Sequence, residues 1–579
     1  MNDVISIFKN DLYNFIDHLN IDKNIKRFKK QTVSIDFFSK SRLGDLSTNL
    51  LIILSKNKDI NQLDIKSYVI NFLTNLHYVE SVEIAKAGFI NILIDKKYLI
   101  EQLKYYYNFS LPIIDNSIKE KNINIEFVSA NPTGPIHLAH LRGAVLGDVM
   151  SSIFEAVGHK VTREFYVNDA GSQIKILGSS LFKRYQEKYN IPTTFNEGEY
   201  PGEYLKEIAN EIIDLDGNKW LNEKNIQKRS EYFEKFAVNI LVKNIKNDLS
   251  LININFDVFS HESQILENDY ISKVFEILKK KELLYEGILE KPLGDDSDWE
   301  PRKQLLFRST NFYDDSDRVI QKANGDWTYF ANDSAYHYNK YSRNFDQLIN
   351  IWGADHIGYI NRMKSIVEVF SNKKNYLEIF ICQIVRLIKN GQVLKMSKRE
   401  GNFITLQDIH TEIGTDPLRY FMVSAKSESP MDLDMDKIIE KNKDNPVFYC
   451  QYAYARASSV IRKSKNIKNL PEIYNSLNLL NVNFLSEYEW MLIWKIYSWP
   501  YVLKQTSETM QPHRITNYLE DLCSQFHFFW NKGKDDETLR MLDENNIEKT
   551  LSKLIWIELF RKTLKQAFDI IGINAPEIM

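Results

Sequence analysis

SANPTGPIHLAHLRGAVLGD, residues 129–148, is the segment that sets the interpretation of the whole chain. Its prolines and first glycine lead into His137 and His140, and an apolar run with small residues follows. The overlapping INIEFVSAN (123–131) resembles a buried strand ending in a turn, and VTREFYVNDAG (161–171) resembles the next strand. Because parallel strands need a crossover connection, this order predicts a βαβ unit in a parallel sheet.

The overall composition is that of a globular protein with several domains. The chain has 579 residues, of which 44% are hydrophobic and 26% charged, and its net charge is −3. This charge gives no global attraction for a polyanion, although local basic patches can still bind nucleic acid. The cysteines are far apart without a CxxC pair, which argues against a cysteine zinc site and fits a reducing cytoplasm. The sequence shows no signal peptide or membrane span, so we expect a cytoplasmic protein that does not contact a membrane.

Changes in composition predict three domains. Residues 1–115, with apolar and β-branched runs broken by glycine, are expected to form a small α/β domain. Residues 116–430 contain the βαβ pattern and a further apolar strand, ICQIVRLI (381–388), with a polar helical insertion around 180–250. Residues 431–579 have helical periodicity and frequent aromatics, which predicts an all-α bundle.

The histidine pair has three interpretations. A zinc site is disfavoured because the spacing is i, i+3, with Leu138 and Ala139 but no glutamate between the histidines. The pair can also consist of ordinary residues at the start of a helix. The third interpretation is phosphate binding, because backbone N–H groups and the dipole at a helix N-terminus favour anions. The small residues Gly134 and Ala139 would then let a nucleotide lie close to the backbone.

A second candidate phosphate-binding element is GQVLKMSKREGNFITL, residues 391–406. Lys395, Lys398 and Arg399 lie between two glycines, as in a mobile basic loop, and a lysine is a point charge suited to phosphate. A solvated charge run is the alternative for this segment alone. Together with the histidine pair, the segment predicts a two-part phosphate clamp.

This pair of motifs resembles the class I aminoacyl-tRNA synthetases, whose signatures are called HIGH and KMSKS. Here they are His137-Leu138-Ala139-His140 and Lys395-Met396-Ser397-Lys398-Arg399, and Ala139 replaces the usual glycine. The resemblance implies a multidomain α/β protein: a class I Rossmann-type parallel-sheet catalytic domain, a small α/β N-terminal domain and an all-α C-terminal bundle. It also implies that both motifs bind ATP. The loop of the HIGH region comprises Ala130, Asn131, Pro132, Thr133, Gly134 and Pro135.

Within that class the chain is similar to the arginyl-tRNA synthetases over nearly its full length. The specific matches include TYFANDSAYHYNK (328–340), IWGADHIGYI (351–360) and NPVFYCQYAYARAS (445–458), with weaker matches RLGDLSTNL and AGFINILI near the N-terminus. The resemblance implies that L-arginine is activated with ATP and transferred to the 3′-terminal adenosine of tRNA(Arg). It further implies Mg²⁺ carried by ATP rather than a metal held by the protein, and the monomer usual in the family.

The resemblance also implies an acidic amino-acid pocket. A guanidinium is planar and always charged, and carboxylates bind it best. The implied arginine-binding residues are Glu126, Asn131, His137, Glu262, Tyr329 and Asp333, with Tyr359 and Gln264 as neighbours. Glu126 lies inside an apolar strand, where a buried carboxylate needs a partner. For each acid taken alone, a solvated surface charge is the alternative.

Aromatic and basic residues are the candidates for RNA contacts. Unpaired bases stack on aromatic rings, and the α-helical region offers Phe448, Tyr449, Tyr452, Tyr454 and Arg456, although the helical spacing also fits core packing. In the N-terminal domain, Phe89 and Asn91 match positions that contact a D-loop base in the family. The basic run KNIKRFKK (23–30) is either a phosphate-binding or a solvated face.

Two rival interpretations stay open. Another class I synthetase or a small nucleotidyltransferase shares the two motifs, but it does not explain the acidic pocket or the terminal domains. A catalytically inactive RNA-binding relative would have lost a histidine or the KMSK lysine, and all of these are present.

Overall fold

The computed structural model describes residues 4–22, 32–37, 44–56, 62–108, 110–112, 118–289, 301–394, 404–473, 477 and 480–579. Two predicted segments, the basic run 23–30 and the KMSKR motif 395–399, lie outside these residues. Within the described ranges, no helix is long and apolar enough to cross a membrane.

The N-terminal domain is a small antiparallel sheet covered by helices. Its strands lie in the order β1-β2-β4-β3, and the isoleucines of β4 are buried in the core. Its elements are α1 (Val4–Asp22), β1 (Ile35–Phe37), β2 (Leu46–Thr48), α2 (Leu50–Ser55), α3 (Gln62–Thr74), β3 (Val79–Ile84), β4 (Ile90–Ile94) and α4 (Lys96–Tyr107).

The central region contains a five-stranded parallel sheet in the order β12-β11-β5-β6-β7. The βαβ prediction is therefore confirmed as β5-α5-β6. The first elements are β5 (Asn122–Glu126), α5 (Leu138–Ala156), β6 (Lys160–Val167), α6 (Ser172–Glu187), α7 (Tyr204–Asp216), α8 (Lys219–Asn222), α9 (Ile226–Leu251), β7 (Val258–His261), α10 (Glu262–Glu267) and α11 (Tyr270–Lys280). The region continues with β8 (Leu284–Gly287), β9 (Gln304–Phe307), β10 (Arg318–Gln321), α12 (Tyr329–Ser342), β11 (Gln347–Gly353), α13 (Ile360–Ser371) and β12 (Leu377–Cys382).

The prediction of a single strand at ICQIVRLI (381–388) is wrong. β12 ends at Cys382, and the chain then enters a second sheet of order β14-β13-β15. The added elements are β13 (Val385–Lys389), β14 (Gln392–Val393), α14 (Leu406–Ile413), α15 (Thr415–Val423) and β15 (Met431–Asp434). β15 pairs in parallel with β13, so the second sheet extends to Asp434. The all-α region was predicted to begin at 431, and it therefore begins with a strand. A mostly apolar segment of this length does not reveal which sheet each half joins.

Helix α5 packs against both the parallel sheet and the C-terminal helices. It is buried along most of its length, and Gly147 makes its close approach to the sheet possible. A Cβ atom at Gly147 would lie 2.2 Å from the Phe127 ring, which follows β5. Helix α5 therefore connects the parallel sheet to the C-terminal helices.

The C-terminal region is a helical bundle consisting of α16 (Met435–Ile438), α17 (Pro446–Ser464), α18 (Glu487–Tyr497), α19 (Trp499–Thr509), α20 (His513–Asp535) and α21 (Ile547–Ile571). Arg419, on α15, is fully buried where this bundle meets the central region. Its guanidinium donates to Asp148 Oδ2 at 2.5 Å, to Ile571 O at 2.5 Å and to Ile252 O at 2.8 Å. Arg419 thus ties α5 to the end of α21.

Candidate active site

A cavity of about 670 Å³ opens at the carboxyl end of β5, between the start of α5 and helix α12. Ligands bind at this edge of open parallel sheets, where the loops leave the strands. The cavity brings together the predicted residues Glu126, Ala130, Asn131, His137, His140, Tyr329, Asp333 and Tyr359. Pro132, Thr133, Gly134, Pro135, Glu262 and Gln264 are not part of its lining, although Glu262 lies directly behind it.

The turn after β5 holds two residues in the left-handed region. Val128 has φ 66° and Ser129 has φ 41°, and this conformation is strained for a β-branched residue such as valine. The Ser129 hydroxyl donates to Glu126 Oε1 at 3.0 Å and accepts the backbone N–H of Tyr166 at 3.1 Å. These two hydrogen bonds hold the turn, which directs the following loop toward the cavity.

The histidine pair begins α5. His137 is the N-cap residue, and its Nδ1 accepts the backbone N–H of Ala139 at 3.3 Å. His140 reciprocates, because its Nδ1 accepts the backbone N–H of His137 at 3.4 Å. The ring centroids are 4.1 Å apart, and both residues line the cavity. The interpretation as helix-start histidines is therefore correct in part, since the same residues cap the helix and face the cavity.

The first described residues that follow the basic segment 395–399 lie next to the histidine pair. Thr405 pairs with His137 in an isolated antiparallel bridge, and the N–H of Leu406 donates to Ile136 O at 2.9 Å. On the other side of the segment, the N–H of Leu394 donates to Leu387 O at 2.9 Å. The chain thus leaves β14 and returns at the start of α5.

Asp333 and Glu262 give the cavity its acidic character. Burial, with repulsion from Glu262 and Glu126, raises the pKa of Asp333 to about 7, although the Tyr359 hydroxyl donates to its carboxylate. Burial also raises the pKa of Glu262, whose Oε1 accepts from Asn332 Nδ2 at 3.4 Å. Two acids with raised pKa values are suited to a cationic ligand, because the cation stabilises their ionised form.

Glu126 is already engaged by other side chains. Lys340 is fully buried, and its Nζ lies 2.5 Å from Glu126 Oε2, while Glu126 Oε1 accepts from Ser129. The prediction that this buried carboxylate needs a partner is confirmed, and the partner is a lysine of the protein. Asp333 and Glu262 are therefore the acids with less compensation.

The other predicted pocket residues lie at the rim. Tyr329, the first residue of α12, is 75% exposed and reaches the cavity on the same helix as Asp333. Asn131 is exposed and donates to Gln173 Oε1 at 3.0 Å. The backbone carbonyl of Thr133 accepts the Tyr204 hydroxyl at 2.6 Å, which fixes the loop to the insertion.

The residues predicted to contact tRNA divide into surface and core. Arg456 lies over the Tyr452 ring at 4.2 Å and the Trp530 ring at 5.0 Å, and both Tyr452 and Arg456 are half-buried. The ring of Tyr454 is buried between α17 and α21, which favours core packing, and its contact with tRNA stays a prediction. Asn91 is only 4% exposed, so its side chain is not available for RNA, whereas Phe89 is half-buried.

His337, Lys340 and Asn350 also belong to the site, although no sequence motif named above includes them as site residues. All three are buried beside the acids, and His337 and Asn350 line the cavity. The signal that was available is spacing, because Asp333, His337 and Lys340 follow one another at i, i+4 and i+7 on one helix face. Asn350 is on β11, and its contact with α12 depends on tertiary structure.

The parallel sheet, the histidine pair at the start of α5 and the acidic cavity are those of a class I aminoacyl-tRNA synthetase. The family model for the catalytic domain of class I (R) tRNA synthetases matches residues 113–432. The arginyl tRNA synthetase N-terminal domain model matches residues 14–94, and the DALR anticodon binding domain model matches residues 450–579. The fold class expected from the sequence is confirmed.

Similar proteins define the family. The chain is 38% identical to the arginine–tRNA ligase of Bartonella bacilliformis over 565 residues, with 96% of each chain covered. It is 41% identical to that of Pelagibacter ubique, with 92% of each chain covered. Thermus thermophilus arginyl-tRNA synthetase shares the fold, with a TM-score of 0.75 at 16% identity, over 99% of this chain and 100% of that chain. The chain belongs to the arginyl-tRNA synthetase family.

Proposed function

We propose that the protein is an arginine–tRNA ligase. In the first step, the carboxylate of L-arginine attacks the α-phosphate of ATP, forming arginyl-adenylate and releasing pyrophosphate. In the second, the 2′-hydroxyl of the terminal adenosine of tRNA(Arg) attacks the adenylate and releases AMP. The observation that carries the proposal is one cavity lined by the histidine pair and by Asp333, with the poorly compensated Glu262 close enough to raise the pKa of Asp333, in a chain that belongs to this family.

The acidic wall would bind the guanidinium. Asp333 and Glu262 supply carboxylates, the Tyr359 hydroxyl orients Asp333, and Tyr329 at the rim would cover the bound side chain. Asn131 and His137 would hold the ammonium and carboxylate of arginine near the start of α5. This arrangement places the nucleophilic carboxylate next to the nucleotide, and such positioning supplies much of the rate enhancement.

The start of α5 would bind ATP. His137 and His140 offer imidazole donors beside the helix N-terminus, and Lys395 and Lys398, with Arg399, would bring positive charge to the phosphates. A carboxylate nucleophile needs no general base. Mg²⁺ would be carried by the phosphates of ATP, and among the described residues no group of three or more His, Cys, Asp or Glu side chains could hold a metal ion.

The terminal domains would bind the tRNA. Tyr452, Arg456 and Phe448 offer stacking faces and a cation on the helical bundle, and Phe89 offers a face on the N-terminal domain. We infer domains at 1–115, 116–430 and 431–579, a monomer as the working form, and the cytoplasm as its location.

Charging of total tRNA with each of the twenty labelled amino acids, in the presence of ATP and Mg²⁺, tests this function. We expect charging with arginine alone. Charging with another amino acid would keep the class but contradict the assignment of the acidic pocket. Binding of tRNA without any charging would favour the inactive-relative interpretation.

The arginine KM is expected to depend on pH. Because burial raises the pKa of Asp333 to about 7, the protein must ionise this group to bind a guanidinium. Below that pH we expect the arginine KM to rise by up to about tenfold per pH unit, and above it to be flat. The measurement is the arginine KM between about pH 5.5 and pH 8.5, with the ATP KM as the internal control. An arginine KM that is flat across this range would contradict the role of Asp333.

Ala139→Gly is expected to strengthen ATP binding. The methyl group of Ala139 is exposed on the cavity wall, where the usual family residue is glycine. We expect the variant to lower the ATP KM by about two- to tenfold with the arginine KM unchanged. A glycine in the first helical turn should also cost about 0.5–1 kcal/mol of stability, which thermal unfolding measures. An unchanged ATP KM would show that the adenine does not pack on this residue.

A further inference from the structure

A directional chain of hydrogen bonds lies behind the acidic wall of the cavity. Lys340 Nζ donates to Glu126 Oε2 and, at 3.0 Å, to Asn350 Oδ1. The amide nitrogen of Asn350 lies 2.9 Å from His337 Nε2, and His337 Nδ1 lies 2.8 Å from the carbonyl oxygen of Asp333. The chain therefore connects β5, β11 and α12 and ends at the residue proposed to bind the guanidinium.

The chemistry of lysine fixes the direction of every bond in this chain. An ammonium group only donates, so the Asn350 oxygen must accept from Lys340 and its NH₂ must point to His337. Since that NH₂ group donates, His337 Nε2 must carry a lone pair. His337 Nδ1 then carries the proton and donates to the Asp333 carbonyl. In this arrangement the imidazole is neutral, because a second proton on Nε2 would face the NH₂ of Asn350.

We propose that Lys340 is a positioning residue that sets the charge of the amino-acid pocket, by holding Asn350 in one orientation and His337 in one uncharged tautomer. This inference rests on the proposed arginine specificity. The positive charge of Lys340 is itself compensated by Glu126 and covered by the Tyr336 ring, 4.6 Å away. The wall behind Asp333 therefore presents no net positive charge to an incoming guanidinium.

Burial and the surrounding charges agree with this assignment. His337 is 3% exposed, and burial together with the charge of Lys340 lowers its pKa to about 3. The titratable groups that face the chain from the packed elements are Glu126 on β5, Glu164 and Tyr166 on β6, Glu262 on α10, Asp333, Tyr336 and Lys340 on α12, Arg343 after it and Tyr359 before α13.

Asn350→Asp reverses the hydrogen bond between residue 350 and His337 and tests the proposal. An aspartate of the same shape can only accept, so it would favour the imidazolium form of His337. The new carboxylate faces Nε2 whereas Nδ1 faces Asp333, so the positive end of this ion pair lies on the side of the guanidinium site. We expect the arginine KM to rise at least about tenfold at neutral pH, with the kcat and ATP KM changed less than about threefold. Raising the pH should reverse the effect as His337 loses its proton.

His337→Gln provides the matched background. Glutamine can donate and accept but carries no charge, so in this background Asn350→Asp should change the arginine KM by less than about threefold. An equal rise in both backgrounds, or a parallel rise in the ATP KM, would overturn the proposal. Failure of the parent protein to charge tRNA with arginine would overturn the proposed function, whereas a normal arginine KM in Asn350→Asp would overturn only this inference.

Two substitutions of Lys340 keep the proposal testable if Asn350→Asp does not fold. Lys340→Gln retains a donor toward Glu126 and Asn350, whereas Lys340→Met removes it and frees the amide to turn over. We expect the arginine KM of Lys340→Met to exceed that of Lys340→Gln by at least about fivefold, with similar ATP KM values. Equal arginine KM values for the two variants would contradict the role of the lysine in fixing direction.

Discussion

Asp333→Asn is expected to abolish most arginine activation while stabilising the free protein. Loss of one partner of a buried charge pair costs about 2–5 kcal/mol, so kcat/KM for arginine should fall between about thirty- and several thousand-fold. The amide keeps the shape of the side chain but removes the negative charge that would bind the guanidinium. The measurement is arginine-dependent charging of tRNA at saturating ATP.

The gain in stability follows from the raised pKa of Asp333. Its pKa is about 7 in the folded protein and near 3.8 in the unfolded chain, so ionisation penalises the folded state increasingly from about pH 4 to pH 7. At pH 8 the variant should be more stable by up to about 4 kcal/mol, and near pH 4 the difference should vanish. Thermal unfolding of the free protein at both pH values measures it.

Asp214→Asn is the matched control for this variant. Asp214 lies on α7, in the insertion, and is exposed, so the substitution removes one carboxylate without touching the cavity. We expect its arginine KM and its melting temperature to equal those of the parent. If Asp333→Asn were less stable than the parent at pH 8, burial of the ionised Asp333 carboxylate would not destabilise the folded protein, and the explanation would be wrong.

Arg419→Met is expected to cause the largest loss of stability. Three donors of the guanidinium bind Asp148 and two backbone carbonyls from different parts of the chain, all in the buried contact between α5 and the C-terminal bundle. Removing one partner of a buried ion pair costs about 3–5 kcal/mol. Asp148 keeps Arg163 Nε at 3.3 Å from its Oδ1, so we expect a loss near the lower end of this range. A lower melting temperature, with an early transition of the bundle, is the expected result in scanning calorimetry.

Arg386→Met is the control with the same kind of bond but a different environment. Arg386 binds Asp432 through two nitrogen atoms, at 2.7 and 2.9 Å, on an exposed part of the surface. We expect this variant to keep the melting temperature of the parent, because solvent screens an exposed pair. Similar losses in the two variants would mean that burial does not determine the strength of the contact at Arg419.

Sequence patterns predicted the local parts of the fold and the site. The strand, turn and helix around His137 follow from short-range periodicity and capping, and the structure reproduces them. The two halves of ICQIVRLI entered different sheets, since nothing local distinguishes them. The acids were identified through resemblance to a family, and the compensation of Glu126 by Lys340 became visible only when α12 was packed against β5.

The bridge between Thr405 and His137 has a consequence for the effective concentration of positive charge. Lys398 precedes Thr405 by seven residues, so it can never be more than about 25 Å from the point where the chain is held against the histidines. One ammonium group confined to that volume corresponds to at least about ten millimolar. For the proposed contact of Lys398 with the phosphates of ATP, a dissociation constant of about ten millimolar would therefore be enough for half-occupancy.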